Sequence, residues 1–265
     1  MTIEKIALLR VSVANGVARI VMDRPRRHNA FDDTLIEALA ETFKTLAGRT
    51  DVRCVILASA GKSFSAGADL DWMKCSADYA FDENLAEARR LAEMMCRLDS
   101  LPMPTIALVQ GAAIGGGIGL VAACDMALAA NDAIFSLSEV KLGLIPSVIS
   151  PYVLRAIGER AARRYVLTGE RFEAAEALRI GLVHAVVPEE GLEAAGEALA
   201  GGFLANGPEA VVKAKKLIAD VAGKPIDGAL IDETARRIAE IRRGDEGREG
   251  VGAFLEKRRP NWRRD

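Results

Sequence analysis

The chain is poor in aromatic residues, which make up 5% of its 265 residues, and it has only two histidines, His28 and His184. Few aromatic faces leave little on which the bases of a nucleic-acid strand could stack. Neither charge sign is in large excess: the net charge of −2 gives no general attraction to nucleic acid or to an anionic membrane. The four cysteines, Cys54, Cys75, Cys96 and Cys124, are spaced for neither a zinc site nor a redox pair. Each sits among aliphatic or helix-forming neighbours, so all four are expected as buried, reduced thiols, which suits a reducing compartment. The N-terminal stretch lacks the apolar segment and small-residue cleavage site of a signal peptide, and a cytoplasmic location is the default expectation. Neither histidine lies in a nucleophile motif such as G-x-S-x-G, and both are expected as surface or structural residues. No bound metal is expected.

What is present is ordinary in amount, half hydrophobic and 27% charged. "MTIEKIALLRVSVANGVARIVMDRP" reads as two alternating strands around "ANG", a hairpin. "RPRRHNAFD" is a loop, after which Asp32 or Asp33 caps a helix, "DTLIEALAETFKTLAG", closed by Gly48. "RCVILAS" and "TIALVQG" are short apolar strands of the kind buried on both faces. Between them lie a small-residue loop, "AGKSFSAGADL", and a helix from Asp82 to Leu98 that "LPMP" ends. "GLVAACDMALAA" reads as a helix and "AIFSLSEV" as a strand-like stretch ending at Glu139. From about Ile149 onward the segments read as helices. The pattern predicts an α/β core, residues 1–200, followed by a helical region, residues 201–265. No convincing internal repeat and no low-complexity segment is visible. The basic end, with Lys257, Arg258, Arg259, Arg263 and Arg264, reads as a solvated terminus or a phosphate-contacting tail.

Five glycines crowd the apolar run "VQGAAIGGGIGLVAACDMALAA". Gly111, Gly115 and Gly119 make a doubled GxxxG, a membrane-helix packing pattern. However, the run has no flanking tryptophan or tyrosine, and so many glycines weaken a single helix. It contains no G-x-G-x-x-G, and the chain contains no G-x-x-x-x-G-K-[ST]. A tight strand-to-helix turn that needs glycine only for packing remains open. So does an oxyanion site, in which free N–H groups at a helix N-terminus meet an oxygen that gains charge. "SAGAD", another small-residue loop after a buried strand, is the candidate second donor.

"FSAGADLDWM", "QGAAIGGGIGLVAACD", "FSLSEVKLGLIP" and "EGVGAFLEKRRP", taken together and in that order, resemble the enoyl-CoA hydratase/isomerase (crotonase) superfamily over nearly the whole chain. The resemblance implies a crotonase-like spiral core of repeated ββα units with a C-terminal helical trimerisation region. It implies an acyl-CoA substrate, with coenzyme A as part of the substrate and no separate cofactor. It also implies a homotrimer, or a hexamer built as a dimer of trimers. Carried over by position, the N–H groups of Ala68 and Gly116 would form the oxyanion hole. Ala66 to Leu70, Asp69 included, would line the CoA pocket, with Ala30 near the adenine end and Lys257 reaching a CoA phosphate. Arg26 and Arg27 are weaker phosphate candidates. Beside these roles, Asp69 suits an N-terminal cap for the next helix and Asp125 a structural partner.

Typical hydratases of this family place two glutamates about a water. Glu139 falls on one of those positions and Gly119 on the other. Glu139 alone could take a proton from the water and return one to Cα, a complete syn addition. The missing side chain at Gly119 is expected to leave space for a branched acyl group. "SEVKLGLIPSVISPYVLRAIGERAARRYVLTGERF" is also similar to the bacterial branch that hydrates 3-methylglutaconyl-CoA to 3-hydroxy-3-methylglutaryl-CoA in leucine breakdown, and to its isohexenylglutaconyl-CoA relative. A general enoyl-CoA hydratase or isomerase is the alternative expectation. A non-catalytic RNA-binding or scaffolding relative is the reading from a different class.

Overall fold

The computed structural model of the chain describes residues 2–6, 8–76 and 78–263, so Arg264 lies outside the described residues. The N-terminal segment is three antiparallel strands rather than two: β1 (Thr2–Ile6), β2 (Leu9–Ala14) and β3 (Val17–Met22). Asn15 and Gly16 both take positive φ between β2 and β3, as a two-residue hairpin turn requires. After helix α1 (Asp33–Ala47), β4 (Cys54–Ser59) pairs in parallel with β3.

Three successive turns of chain then place one strand in each of two sheets. The pairs are β4 with β5 (Ser63–Ser65), β6 (Thr105–Val109) with β7 (Ala112–Ile114), and β8 (Met126–Ala130) with β9 (Ile134–Ser136). β11 (Ala185–Val187) closes a seven-stranded sheet of order β1-β2-β3-β4-β6-β8-β11. The smaller sheet runs β10-β9-β7-β5, with β10 at Arg171–Glu173. This is the expected spiral, although the repeat is visible only in the folded chain. Helices α2 (Leu70–Ser76) and α3 (Phe81–Asp99) follow β5, and α4 (Gly116–Ala123) follows β7.

One boundary moves. "DMALAA" does not extend α4, because the helix stops at Cys124 and the alanine-rich run becomes β8. Its backbone pairs with β6 on one side and β11 on the other. Alanine favours helix locally, but a central position in a parallel sheet overrides that preference.

Both faces of the large sheet are covered. Val55 and Leu57 of β4 face the main core, with Phe31, Leu39 and Phe43 from the α1 segment and Met95 and Leu98 from α3. Cys54, Ile56 and Ala58 point the other way, toward Leu192 and Ala200 of α7 (Leu192–Leu204). This two-residue alternation is the pleat of a strand buried on both sides. Cys54 and Cys124 are buried as expected, and burial pushes both thiols up to about 12. Cys75 and Cys96 are exposed, contrary to expectation, because the helices α2 and α3 turn them outward.

The remaining helices are α5 (Ser150–Thr168), α6 (Ala174–Arg179), α8 (Pro208–Val221), α9 (Gly228–Arg243) and α10 (Asp245–Leu255). Helices α8 and α9 bury none of their residues, and Ile231, Ile238, Val251 and Phe254 stand exposed. Among the described residues no helix is long and apolar enough to cross a membrane.

Candidate active site

The loop from β5 to α2 alternates. Ala66, Ala68 and Leu70 are exposed, while Gly67 and Asp69 are buried. Phe31 pairs with this loop as a parallel bridge: its N–H donates to the Gly67 carbonyl at 2.7 Å and its carbonyl accepts from the Asp69 N–H at 2.8 Å. Such a bridge turns the Ala68 peptide away from Phe31, and among the described residues the Ala68 N–H has no acceptor. Asp69 is 4% exposed. Its Oδ1 accepts from the N–H of Asp71 at 2.8 Å and of Trp72 at 3.4 Å, which caps α2 as expected. Arg24 Nη2 lies 3.0 Å from Asp69 Oδ2 and 2.8 Å from Asp32 Oδ2. Asp32 caps α1 through the Leu35 N–H at 2.9 Å. One guanidinium therefore ties the caps of both helices together and holds the loop between them, a role that no motif in the sequence signalled.

The second loop is the turn from β7 into α4. Gly115 takes φ 52°, ψ −116°, a backbone that side-chain-bearing residues rarely adopt, and its N–H donates to the Ser136 carbonyl at 2.9 Å. A Cβ at Gly116 would stand 2.9 Å from the Phe31 ring, and one at Gly117 would stand 2.8 Å from the Ser65 carbonyl oxygen. The glycines thus let the start of α4 press against the first loop. Gly116 opens the helix, so its N–H lacks an intrahelical partner, and the described residues offer it none. Both unengaged N–H groups lie on loops that Phe31 contacts.

Glu139 opens a 3-10 turn, Glu139–Leu142, rather than ending a strand. β9 stops at Ser136, and the turn closes at Gly143, whose φ is 73°. The turn brings the carboxyl group against the Gly115 backbone: a Cβ built there would sit 2.8 Å from Glu139 Oε1. Oε2 is buried and has no hydrogen-bond partner. Burial raises the carboxyl pKa above its ordinary 4.5, opposed by a hydrogen bond from its own backbone. A carboxyl group in this state can both accept and release a proton at a reacting carbon.

The space expected beside Gly119 is absent. A Cβ on Gly119 would stand 2.3 Å from Ile149 Cγ2 and 3.0 Å from both Ile149 Cβ and Met95 Cε. Gly119 lies one turn beyond Gly115 on α4, its N–H donating to the Gly115 carbonyl at 3.2 Å. Residues four apart share a helix face, so Glu139 and the Ile149–Met95 pair cover successive positions of one stripe. The position that resembles a second acid is filled by hydrocarbon and a thioether. Sequence reasoning missed Ile149 and Met95 because they reach this point from α5 and α3.

The other candidates divide. Ala30 is 6% exposed, and its carbonyl accepts from Arg24 Nη1 at 2.8 Å. Leu70 is 70% exposed at the start of α2. Lys257 is exposed beyond α10 with φ 55°, and among the described residues no backbone hydrogen bond joins it to Ala68, Gly116 or Glu139. Arg26 and Arg27 are exposed, and Arg27 pairs with Asp71 at 2.9 Å. Asp125 accepts from the Thr105 N–H and hydroxyl and from Lys215, the expected structural role. His184 Nδ1 accepts from the Ala127 N–H at 3.2 Å, and His28 Nδ1 lies 3.1 Å from Ser63 Oγ.

Residues 12–265 match the family model described as enoyl-CoA hydratase/isomerase. A solved enoyl-CoA hydratase from Shewanella pealeana is 45% identical, with a TM-score of 0.94 and 97% of each chain covered. Pseudomonas aeruginosa AtuE is 35% identical, with a TM-score of 0.92, covering 96% of this chain and 99% of its own. The enoyl-CoA hydratase domain-containing protein 3 of Danio rerio is 32% identical over 247 residues, 93% of this chain and 84% of that protein.

Proposed function

The chain belongs to the enoyl-CoA hydratase/isomerase family, and from that premise we propose that it adds water across the α,β double bond of 3-methylglutaconyl-CoA with Glu139 as its single acid and base. The observation that carries the single-acid part is the contrast along α4. A carboxyl with one buried oxygen, Oε2, left without a hydrogen-bond partner stands against Gly115, and apolar side chains fill the position at Gly119. The N–H groups of Ala68 and Gly116 receive the thioester oxygen as it gains enolate charge, and the dipole of α4 reinforces the second donor. Glu139, as a carboxylate, takes a proton from water while the oxygen bonds to Cβ. The same carboxyl then returns a proton to Cα, so the carboxylate is regenerated and one water has been added. The acyl chain is argued from the resemblance across "SEVKLGLIPSVISPYV"; the packed surroundings of Gly119 remove the argument from empty volume. The exposed apolar residues of α9 and α10 support assembly through the C-terminal helices, as a trimer or a dimer of trimers.

The test is hydration of 3-methylglutaconyl-CoA beside crotonyl-CoA by the wild type and Glu139→Gln. Turnover of the branched substrate, falling by about 10²–10⁴ in the variant, is the expected result. A folded wild type that binds CoA thioesters but hydrates neither substrate sinks the hydratase reading.

A further inference from the structure

Four arginines surround one cleft that the proposed reaction does not use. Arg160, Arg163 and Arg164 come from α5 and Arg179 from α6, around a volume of about 650 Å³. Residues three and four apart share a helix face, so the three arginines of α5 are set on one side of it. Ile157 and Ile180 give the cleft an apolar wall. None of its lining residues belongs to the loops that carry Ala68, Gly116 or Glu139.

Carboxylates brace three of the guanidinium groups without lining the cleft themselves. Glu159 accepts from Arg163 Nε at 2.9 Å and Nη2 at 2.6 Å, and Glu170 accepts from Arg164 Nε at 2.7 Å and Nη2 at 3.3 Å. Both pairs use the same edge of the guanidinium, so Nη1 of Arg163 and of Arg164 makes no hydrogen bond among the described residues. Arg164 also lies over the Tyr165 ring, 5.0 Å from its centre, which holds its plane. Glu176 grips Arg179 by the same edge at 2.6 and 2.7 Å, and the Tyr165 hydroxyl donates to Glu176 and lies against Arg179. Arg160 is exposed and makes no ion pair or hydrogen bond among the described residues. Three carboxylates therefore meet four guanidinium groups, and the charge left over sits on Arg160.

The backbone adds to this field. Gly158 breaks α5 with φ 72° and ψ 162°, so a second stretch of helix begins at Glu159 and the positive end of its dipole opens beside Arg160. We propose that this cleft binds a polyphosphate, two or more linked phosphate groups held by Arg160 and by the open Nη1 donors of Arg163 and Arg164. A planar guanidinium matches the oxygens of a phosphate group, and bracing lowers the freedom each side chain gives up on binding. Arg160 and Arg164 stand one turn apart, ~6 Å along the helix axis, a span that suits linked phosphates better than a single one. Nucleoside diphosphates and inorganic polyphosphates share this chemistry. Ile157 and Ile180 offer the former a surface for its base or sugar.

The test is isothermal titration of the full chain with ADP and with inorganic tripolyphosphate, in magnesium-free buffer at low salt and with excess butyryl-CoA present. The thioester occupies any CoA site, so that binding of ADP there does not enter the signal. Wild type is expected to bind at least one of the two with a Kd below about 1 mM. Tighter binding of ADP assigns the nucleoside form, and tighter binding of tripolyphosphate the inorganic one. Arg160→Ala should weaken the binding by about tenfold or more, the worth of a hydrogen bond between charged groups. Arg160→Lys, which keeps the charge and loses the fork, should fall between the two. Arg163→Ala should also weaken it, while hydration of crotonyl-CoA stays at the wild-type level in all three variants. No binding of either compound by the wild type overturns the proposal. So does an affinity unchanged in both alanine variants, which would move the polyanion to another basic surface such as the C-terminal tail. Thermal unfolding of each variant separates loss of the fold from loss of the site.

Discussion

Alanine at position 119 is the sharpest probe of the packing that distinguishes this site. In an open helix interior, Gly→Ala gains about 1 kcal/mol, because glycine gives up more backbone freedom on folding. Here the added methyl would stand 2.3 Å from Ile149 Cγ2 and 3.0 Å from Met95 Cε. Met95 can swing its flexible thioether end away. Ile149 is β-branched, 2% exposed and seated at the start of α5, so its side chain has little freedom to yield. Gly119→Ala is therefore expected to destabilise the protein by about 1–3 kcal/mol, the range for overpacking. Ile149→Ala alone should cost about 2–5 kcal/mol through the cavity it opens. In the double variant the nearest obstacle retreats to 3.0 Å, and the new methyl fills part of that cavity. The double variant should then be more stable than the sum of the singles by about 1–3 kcal/mol. Urea unfolding at fixed protomer concentration measures all four corners of the cycle, since assembly would make stability concentration-dependent. A stabilised Gly119→Ala, or additivity within about 0.5 kcal/mol, would refute the packing argument.

Further outcomes follow from the same geometry. Glu139 holds its proton more tightly in the folded state than at its ordinary 4.5, so its destabilising effect should appear as pH rises above 4.5 through the raised value. Glu139→Gln should remove that part of the slope, and parallel stability–pH curves for the two proteins would contradict the burial of this carboxyl. Arg24→Met strips the charge partner from Asp69, which is 4% exposed, and should cost about 3–5 kcal/mol in urea unfolding; a loss under about 1 kcal/mol would show the two caps to be independent of it. A thiol reagent at pH 8 should modify Cys75 and Cys96 in the native protein and spare Cys54 and Cys124, whose thiols are pushed up to about 12. Mass spectrometry of the labelled peptides reads the result, and native labelling of Cys54 or Cys124 would contradict their burial.

Much of the architecture was legible in the chain because it is written in local patterns. The apolar stripe of α1, the Asp32 cap and the Gly48 stop mark one helix, and continuous apolar runs mark β4 and β6 as strands covered on both faces. The crowding of glycines at the β7–α4 turn also signalled a close approach, and its partners are Phe31 and Ser65. The two oxyanion candidates, Ala68 and Gly116, and the acid candidate Glu139 could be named from motifs in order along the chain.

The sequence by itself thus determined the family, most of the elements and the positions where chemistry is to be sought. Only the tertiary structure decided that "DMALAA" is a strand, because its fate depends on pairing with β6 and β11. It decided that Gly119 faces no empty space, since Ile149 arrives from thirty residues further on and Met95 from another helix. It left Glu139 with one buried carboxyl oxygen unpartnered, while Asp125, equally acidic in sequence, gained Thr105 and Lys215 as partners. The reason is physical: periodicity records which face of an element is apolar, whereas desolvation and hydrogen bonding depend on which distant side chains arrive there.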